Sequence, residues 1–152
     1  MQYKSENHSS SNSKSQFMPT IKTIYLGDLR TENMHIQSGN KVITDAPIDN
    51  RGKGEFFSPT DLLATALGSC ILTIMGIKAR DHGIGLEDTR VEVTKIMASD
   101  PRRVAEVVMD FYFPPREYSA GERSLIESMA GISPVPLSLH PDLKQTVNFH
   151  WH

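Results

Sequence analysis

Cys70 is the single cysteine of the 152-residue chain, and it lies within Leu62–Ile77, the longest stretch free of charge. A thiol attacks or ligates only as the thiolate. Inside a helix beside Ala66, Leu67, Ile71 and Ile74 it stays protonated unless a cation such as Arg30 approaches. Two readings of Cys70 are therefore open: a small buried hydrophobe, and a redox-reactive sulfur. One cysteine excludes an internal disulfide and any cysteine-rich metal centre. His150 and His152 share one strand face, but no third ligand is near in sequence, which falls short of a metal site. His140 before Pro141 suits a turn, and His82 before Gly83 suits a helix C-terminus. The chain has no phosphate-cradling glycine loop and no serine-hydrolase elbow, and Arg102-Arg103 is too short a basic run for nucleic acid. No cofactor is expected. Sixteen basic against 18 acidic residues, a net charge of −2, give no electrostatic reason to bind nucleic acid or an anionic membrane.

The elements that must position Cys70 are legible in outline. Residues 1–18 are serine-rich and offer almost nothing to bury, so they read as a disordered tail ahead of one domain over 19–152. No secretory segment opens the chain, and the expected compartment is the cytoplasm. The β-branched run Thr20–Tyr25 predicts a strand closed by a Gly27-Asp28 turn. Met34–Ser38 and Lys41–Thr44 predict a hairpin around Gly39-Asn40. Ser58-Pro59-Thr60-Asp61 supplies a capping hydroxyl, a first-turn proline and a first-turn acid, opening a helix that runs to about His82 and stops at Gly83. The charge-free run is too short for a bilayer, and the helix is apolar nearly all round, as for one enclosed by protein. Val91–Ile96 and Val104–Phe113 alternate with period two and predict antiparallel strands. Ser119 with Glu122 forms a capping-box pattern, Ser133-Pro134 opens a short third helix, and Gln145–Trp151 reads as a last strand.

The run Phe57-Ser-Pro-Thr-Asp-Leu-Leu-Ala-Thr-Ala-Leu-Gly-Ser-Cys70 resembles the central-helix motif of the OsmC/Ohr superfamily of osmotically induced and organic-hydroperoxide-resistance proteins. The resemblance continues through Ile71–Ile77, Val91–Ile96, Leu139–Gln145 and Val147–Trp151. It implies an α+β OsmC-like fold, an antiparallel sheet with a long buried central helix, in an intertwined homodimer with its sites at the subunit interface. It also implies reduction of organic hydroperoxides by a peroxidatic cysteine, a resolving cysteine, an arginine and a glutamate. Cys70 falls on the peroxidatic position, eleven residues after Pro59. Ser133, in Ser133-Pro134-Val135, stands where the resemblance places the resolving cysteine, and Thr60 stands at the glutamate position. Asp61 and Glu55 are candidates to replace that glutamate, and Arg30 is the candidate arginine.

Serine cannot condense with a sulfenic acid to form a reducible bond, so an oxidised Cys70 needs an external thiol. The alternative is a non-catalytic dimeric module binding a small apolar ligand in its interface cleft. Helix geometry adds an independent inference. Thr60 and Cys70 are ten residues apart, ~15 Å along one helix axis. Residue 60 therefore serves a cysteine only if two helices cross antiparallel near Thr65. Ala64, Ala66, Gly68 and Ser69 are small enough to permit that approach.

Overall fold

The computed structural model describes residues 18–152, and residues 1–17 of the expected tail lie outside the described residues. Among the described residues, six strands form two three-stranded sheets in place of the single antiparallel sheet expected. The first joins β1 (Ile21–Gly27), β2 (Arg30–His35) and β3 (Lys41–Asp45), antiparallel throughout. The second joins β4 (Arg90–Ser99), β5 (Arg102–Tyr112) and β6 (Lys144–His150). In it β4 and β5 run antiparallel and β5 and β6 parallel, because the long connection after β5 returns the chain to the same end of the sheet.

The expected turn at Gly27-Asp28 forms. It extends to Leu29, with Asp28 and Leu29 both at positive φ, so β2 starts at Arg30 and not at Met34. The tight Gly39-Asn40 hairpin opens into a longer loop that closes when the His35 amide donates to the Asn40 carbonyl at 2.9 Å.

Helix α1 (Pro59–Asp81) has the expected bounds. The Ser58 hydroxyl accepts from the Asp61 amide, the Asp61 carboxylate accepts from the Ser58 amide, and Pro59 occupies the first turn. His82 caps the other end, and Gly83 follows at φ +68°. By length and composition alone α1 could cross a membrane, yet Ala64, Leu67, Gly68, Ile71, Met75 and Ala79 form one buried stripe in the folded chain. They pack with Val107, Met109 and Phe111, the inward alternation of β5. The opposite stripe, Thr65, Ala66, Ser69, Thr73 and Ile77, is exposed, so one chain covers a single face of a helix expected to be enclosed on most sides.

The small residues of α1 therefore divide between two jobs. Ala66 and Ser69 lie on the open face, but Ala64 and Gly68 face the chain's own sheet. A Cβ at Gly68 would lie 2.9 Å from the Val93 Cγ2, so this glycine sets how closely α1 approaches β4. Gly68→Leu is expected to cost about 1–3 kcal/mol by overpacking, read as a lower urea midpoint with an unchanged m-value.

Helix α2 (Ala120–Glu127) starts at the expected Ser119–Glu122 capping box, and α3 (Pro134–Ser138) starts at Pro134. The 3-10 turn Ser128–Ile132 between them packs, with α3, against α1. Beyond β6, Trp151 stacks on Phe113 with ring centroids 3.6 Å apart, and its indole N–H donates to Glu127 at 2.8 Å. The first sheet makes its main contacts within itself and leaves Ile21, Ile24, Tyr25 and Leu26 exposed.

Candidate functional site

Arg30 opens β2 directly opposite Asp45, the last residue of β3. Asp45 is fully buried, an expensive place for a carboxylate without compensation. Compensation comes from Arg30, whose Nη2 lies 3.4 Å from the Asp45 Oδ2, and from the Glu55 amide, which donates to the same oxygen at 3.1 Å. The Glu55 carboxylate in turn pairs with the Arg30 Nη2, and the guanidinium sits 5.1 Å from the centre of the Phe56 ring.

The strap from Ala46 to Phe57 is held in this arrangement by its backbone. The Asp45 amide donates to the Phe57 carbonyl, and the Gly54 amide donates to the Ala46 carbonyl. At Gly52 any Cβ would collide with the Ala46 carbonyl, so only glycine closes the strap here.

A second cluster surrounds the start of α1. The Lys95 Nζ donates to the Asp61 Oδ1 at 2.6 Å and to the Thr60 Oγ1 at 2.8 Å, and lies 3.4 Å from the Ser58 Oγ. Burial pushes the Asp61 carboxyl up, but hydrogen bonds from Lys95 and Ser58, with the lysine's charge, hold it below its ordinary 3.8. Because the folded-state value is lowered, this stabilisation is present above the unfolded value and is lost as pH falls through the folded one. The Asp61 side chain is 41% exposed, so solvent screens the pair. Lys95→Met is expected to cost about 1 kcal/mol or less at pH 7, and its gap from wild type in urea titrations should narrow below pH 3.8.

Between the clusters lies an open cleft of about 750 Å³ whose lining includes Glu55, Phe56, Phe57, Ala64, Val93 and Lys95. Cys70 is not among the cleft's lining residues. It is half-buried at the margin of the open face of α1, and its side chain makes no hydrogen bond or ion pair among the described residues.

Within one chain, the structure thus joins Thr60 to Asp61 and Arg30 to Glu55, but the described partners of Arg30 do not include Cys70. Both Asp61 oxygens are engaged, one by the Ser58 amide and one by Lys95, as a first-turn acid requires. Ser133 is fully buried, and its hydroxyl donates to the Met129 carbonyl at 3.1 Å, leaving the start of α3 without a side-chain cap.

Sequence reasoning missed Lys95 and Asp45. A signal for Lys95 was present, since it occupies the inward register of Val91 and Val93, where the alternation calls for an apolar residue. Asp45 carried none, because its burial depends on the strap folding back over it.

A family model described as OsmC-like protein matches residues 52–148. Among solved structures, a Psychrobacter arcticus protein described as an osmotic stress induced and detoxification response protein is 54% identical. That match covers 89% of this chain and 98% of the other, with a TM-score of 0.85. An organic hydroperoxide resistance protein OsmC from Legionella pneumophila is 14% identical over 90% of this chain and 99% of the other, with a TM-score of 0.69. A Vibrio cholerae organic hydroperoxide resistance protein with captopril in one of its active sites is 13% identical over 91% and 96%, with a TM-score of 0.66. These last two likenesses show a shared fold. No curated protein matches the chain significantly. The family match across α1, β4, β5 and most of β6, with majority identity to a relative over nearly its whole length, shows that the chain belongs to the OsmC-like family, within the OsmC/Ohr superfamily.

Proposed function

We propose that the chain is a one-cysteine thiol peroxidase acting on organic hydroperoxides as a homodimer. The observation that carries this reading is the place of Cys70: the lone thiol lies half-buried beside the uncovered face of α1, outside the core stripe. A second copy crossing antiparallel over Thr65, Ala66 and Ser69 would cover that face. It would bring the sulfur of one chain toward the Thr60, Lys95 and Glu55 region of the other.

The Cys70 thiolate attacks one peroxide oxygen, the O–O bond breaks, and the departing alkoxide takes a proton to become the alcohol, leaving a sulfenic acid. With Ser133 in the resolving position, an external thiol displaces water to form a mixed disulfide. A second external thiol then releases Cys70 and leaves as the oxidised pair. That dependence suits a reducing compartment, the cytoplasm.

The test compares wild type with Cys70→Ser for consumption of cumene hydroperoxide in dithiothreitol. Turnover above background in the wild type, and its loss in the variant, are expected; equal rates overturn the enzymatic reading.

A second reading, a non-catalytic module holding a small apolar ligand, is favoured by Phe56 and Phe57, which stand exposed at the cleft. Native mass spectrometry of the freshly isolated protein would detect such an occupant.

A further inference from the structure

Three threonine hydroxyls meet at a recess of about 250 Å³ enclosed by the strap, β2, β3, the start of α1 and the closed end of the β4–β5 hairpin. Thr31 and Thr44 stand opposite each other on β2 and β3, with their oxygens 2.5 Å apart. Thr60 enters from the first turn of α1.

The threonine pair has one hydrogen too many. Two hydroxyls carry two hydrogens, and the bond between them uses one. Thr31 also accepts from the Asn33 side-chain amide at 3.1 Å. If Thr44 donates, both Thr31 lone pairs are filled and the Thr31 hydrogen is left over. If Thr31 donates, the hydrogen left over belongs to Thr44, which is only 3% exposed. In either case one donor has no acceptor among the described residues, and both threonines line the recess. A buried donor left unmade is costly, so what this arrangement lacks is an acceptor inside the recess. Thr60 accepts from the Lys95 ammonium at 2.8 Å, which polarises its hydroxyl as a donor, to Ser58 at 3.0 Å or into the recess.

The charges point the same way. The lining contains one cation, Arg102, and no carboxylate. Among the described residues the Arg102 side chain is tied only to Asp49, at 3.0 Å, and both are exposed enough for water to screen the pair. Leu29, Pro47 and Met97 supply an apolar stretch of wall. At roughly 30 Å³ for each water-sized group, the space suits a molecule of about eight non-hydrogen atoms or fewer.

We propose that this recess is a binding site for a small monocarboxylate with a short apolar body. The carboxylate oxygens accept from the threonine pair, from Thr60 and from Arg102, and the hydrocarbon part rests on Leu29, Pro47 and Met97. Cys70 is not in the lining, so the site goes beyond the peroxidase reading and does not depend on it.

The probe is sodium butyrate, titrated into the full-length protein at pH 7 with sodium chloride holding the ionic strength constant. The readout is the Met97 methyl signal in a ¹H–¹³C correlation spectrum, assigned by its loss in Met97→Leu. It should shift saturably, and butyramide, alike in shape but uncharged, should bind about tenfold or more weakly. Arg102→Met and Thr60→Val should each weaken butyrate about threefold or more, while Cys70→Ser leaves it unchanged. A shift still linear at the highest butyrate concentration overturns the site, as does equal affinity for butyramide. Butyrate affinity that either Arg102→Met or Thr60→Val leaves unmoved also overturns it.

Discussion

A Ser133→Cys chain given one equivalent of cumene hydroperoxide is expected to lose both of its thiols, whereas the native chain can lose only the one it has. Ser133 is fully buried, and cysteine is its nearest isostere, so the exchange leaves the packing of α3 nearly unchanged. The segment that carries it, the 3-10 turn Ser128–Ile132 leading into α3, already rests on α1. A sulfenic acid at Cys70 would then have a thiol to condense with, releasing water and forming an internal disulfide that dithiothreitol reopens. Intact mass should show a product lighter by two hydrogens with no adduct, and free-thiol titration should fall to zero. Retention of one thiol per chain would mean that position 133 lies out of reach of the sulfur, and the proposed replacement of a resolving cysteine would fail.

Phe111→Ala is expected to remove about 3–5 kcal/mol of stability, the usual cost of deleting a fully enclosed phenylalanine. The ring has no exposure, lies near the end of the central strand of the β4–β5–β6 sheet, and stacks against Phe149 at 5.8 Å between centroids. Val107 and Met109 on one side and Phe113 on the other are equally enclosed, so nothing nearby is free to fill the void. For a domain of this size such a loss is a large share of the total, and equilibrium urea unfolding would reveal it directly. A midpoint shift worth less than about 1 kcal/mol would show that the cavity collapses.

Local chemistry made parts of this architecture readable in advance. The bounds of α1 follow from Ser58, Pro59, Asp61 and Gly83, each of which acts on its own backbone neighbourhood. The strands β4 and β5 follow from alternation over a length too regular for a helix. Pairing was not readable: that β6 joins β5 in parallel depends on how α2 and α3 return the chain, which no local signal encodes. The start of β2 was missed because positive φ at Leu29 breaks the residue preference on which turn prediction relies.

The site divides along the same line. Cys70 stood out as the one cysteine and Asp61 as a first-turn acid, whereas Arg30, Thr60 and Ser133 were singled out by the resemblance to the OsmC/Ohr motif. What surrounds them came from tertiary folding: Asp45 beneath Arg30, and Lys95 reaching Thr60 and Asp61. Glu55 was one of two candidate acids by sequence, and only the strap's geometry sets it against Arg30.

The parallel seam between β5 and β6 governs the order of assembly. Thr146 bonds to Glu106 across 40 residues of chain, and Phe149 and Trp151 close over Phe111 and Phe113. Contacts so distant in sequence are slow to close, because the intervening loop must be ordered first. The β4–β5 hairpin is synthesised well before the strand that completes it. Until β6 has emerged, one edge of β5 and the aromatic cluster beside it stay open to water, and in that interval the nascent chain is most exposed to aggregation.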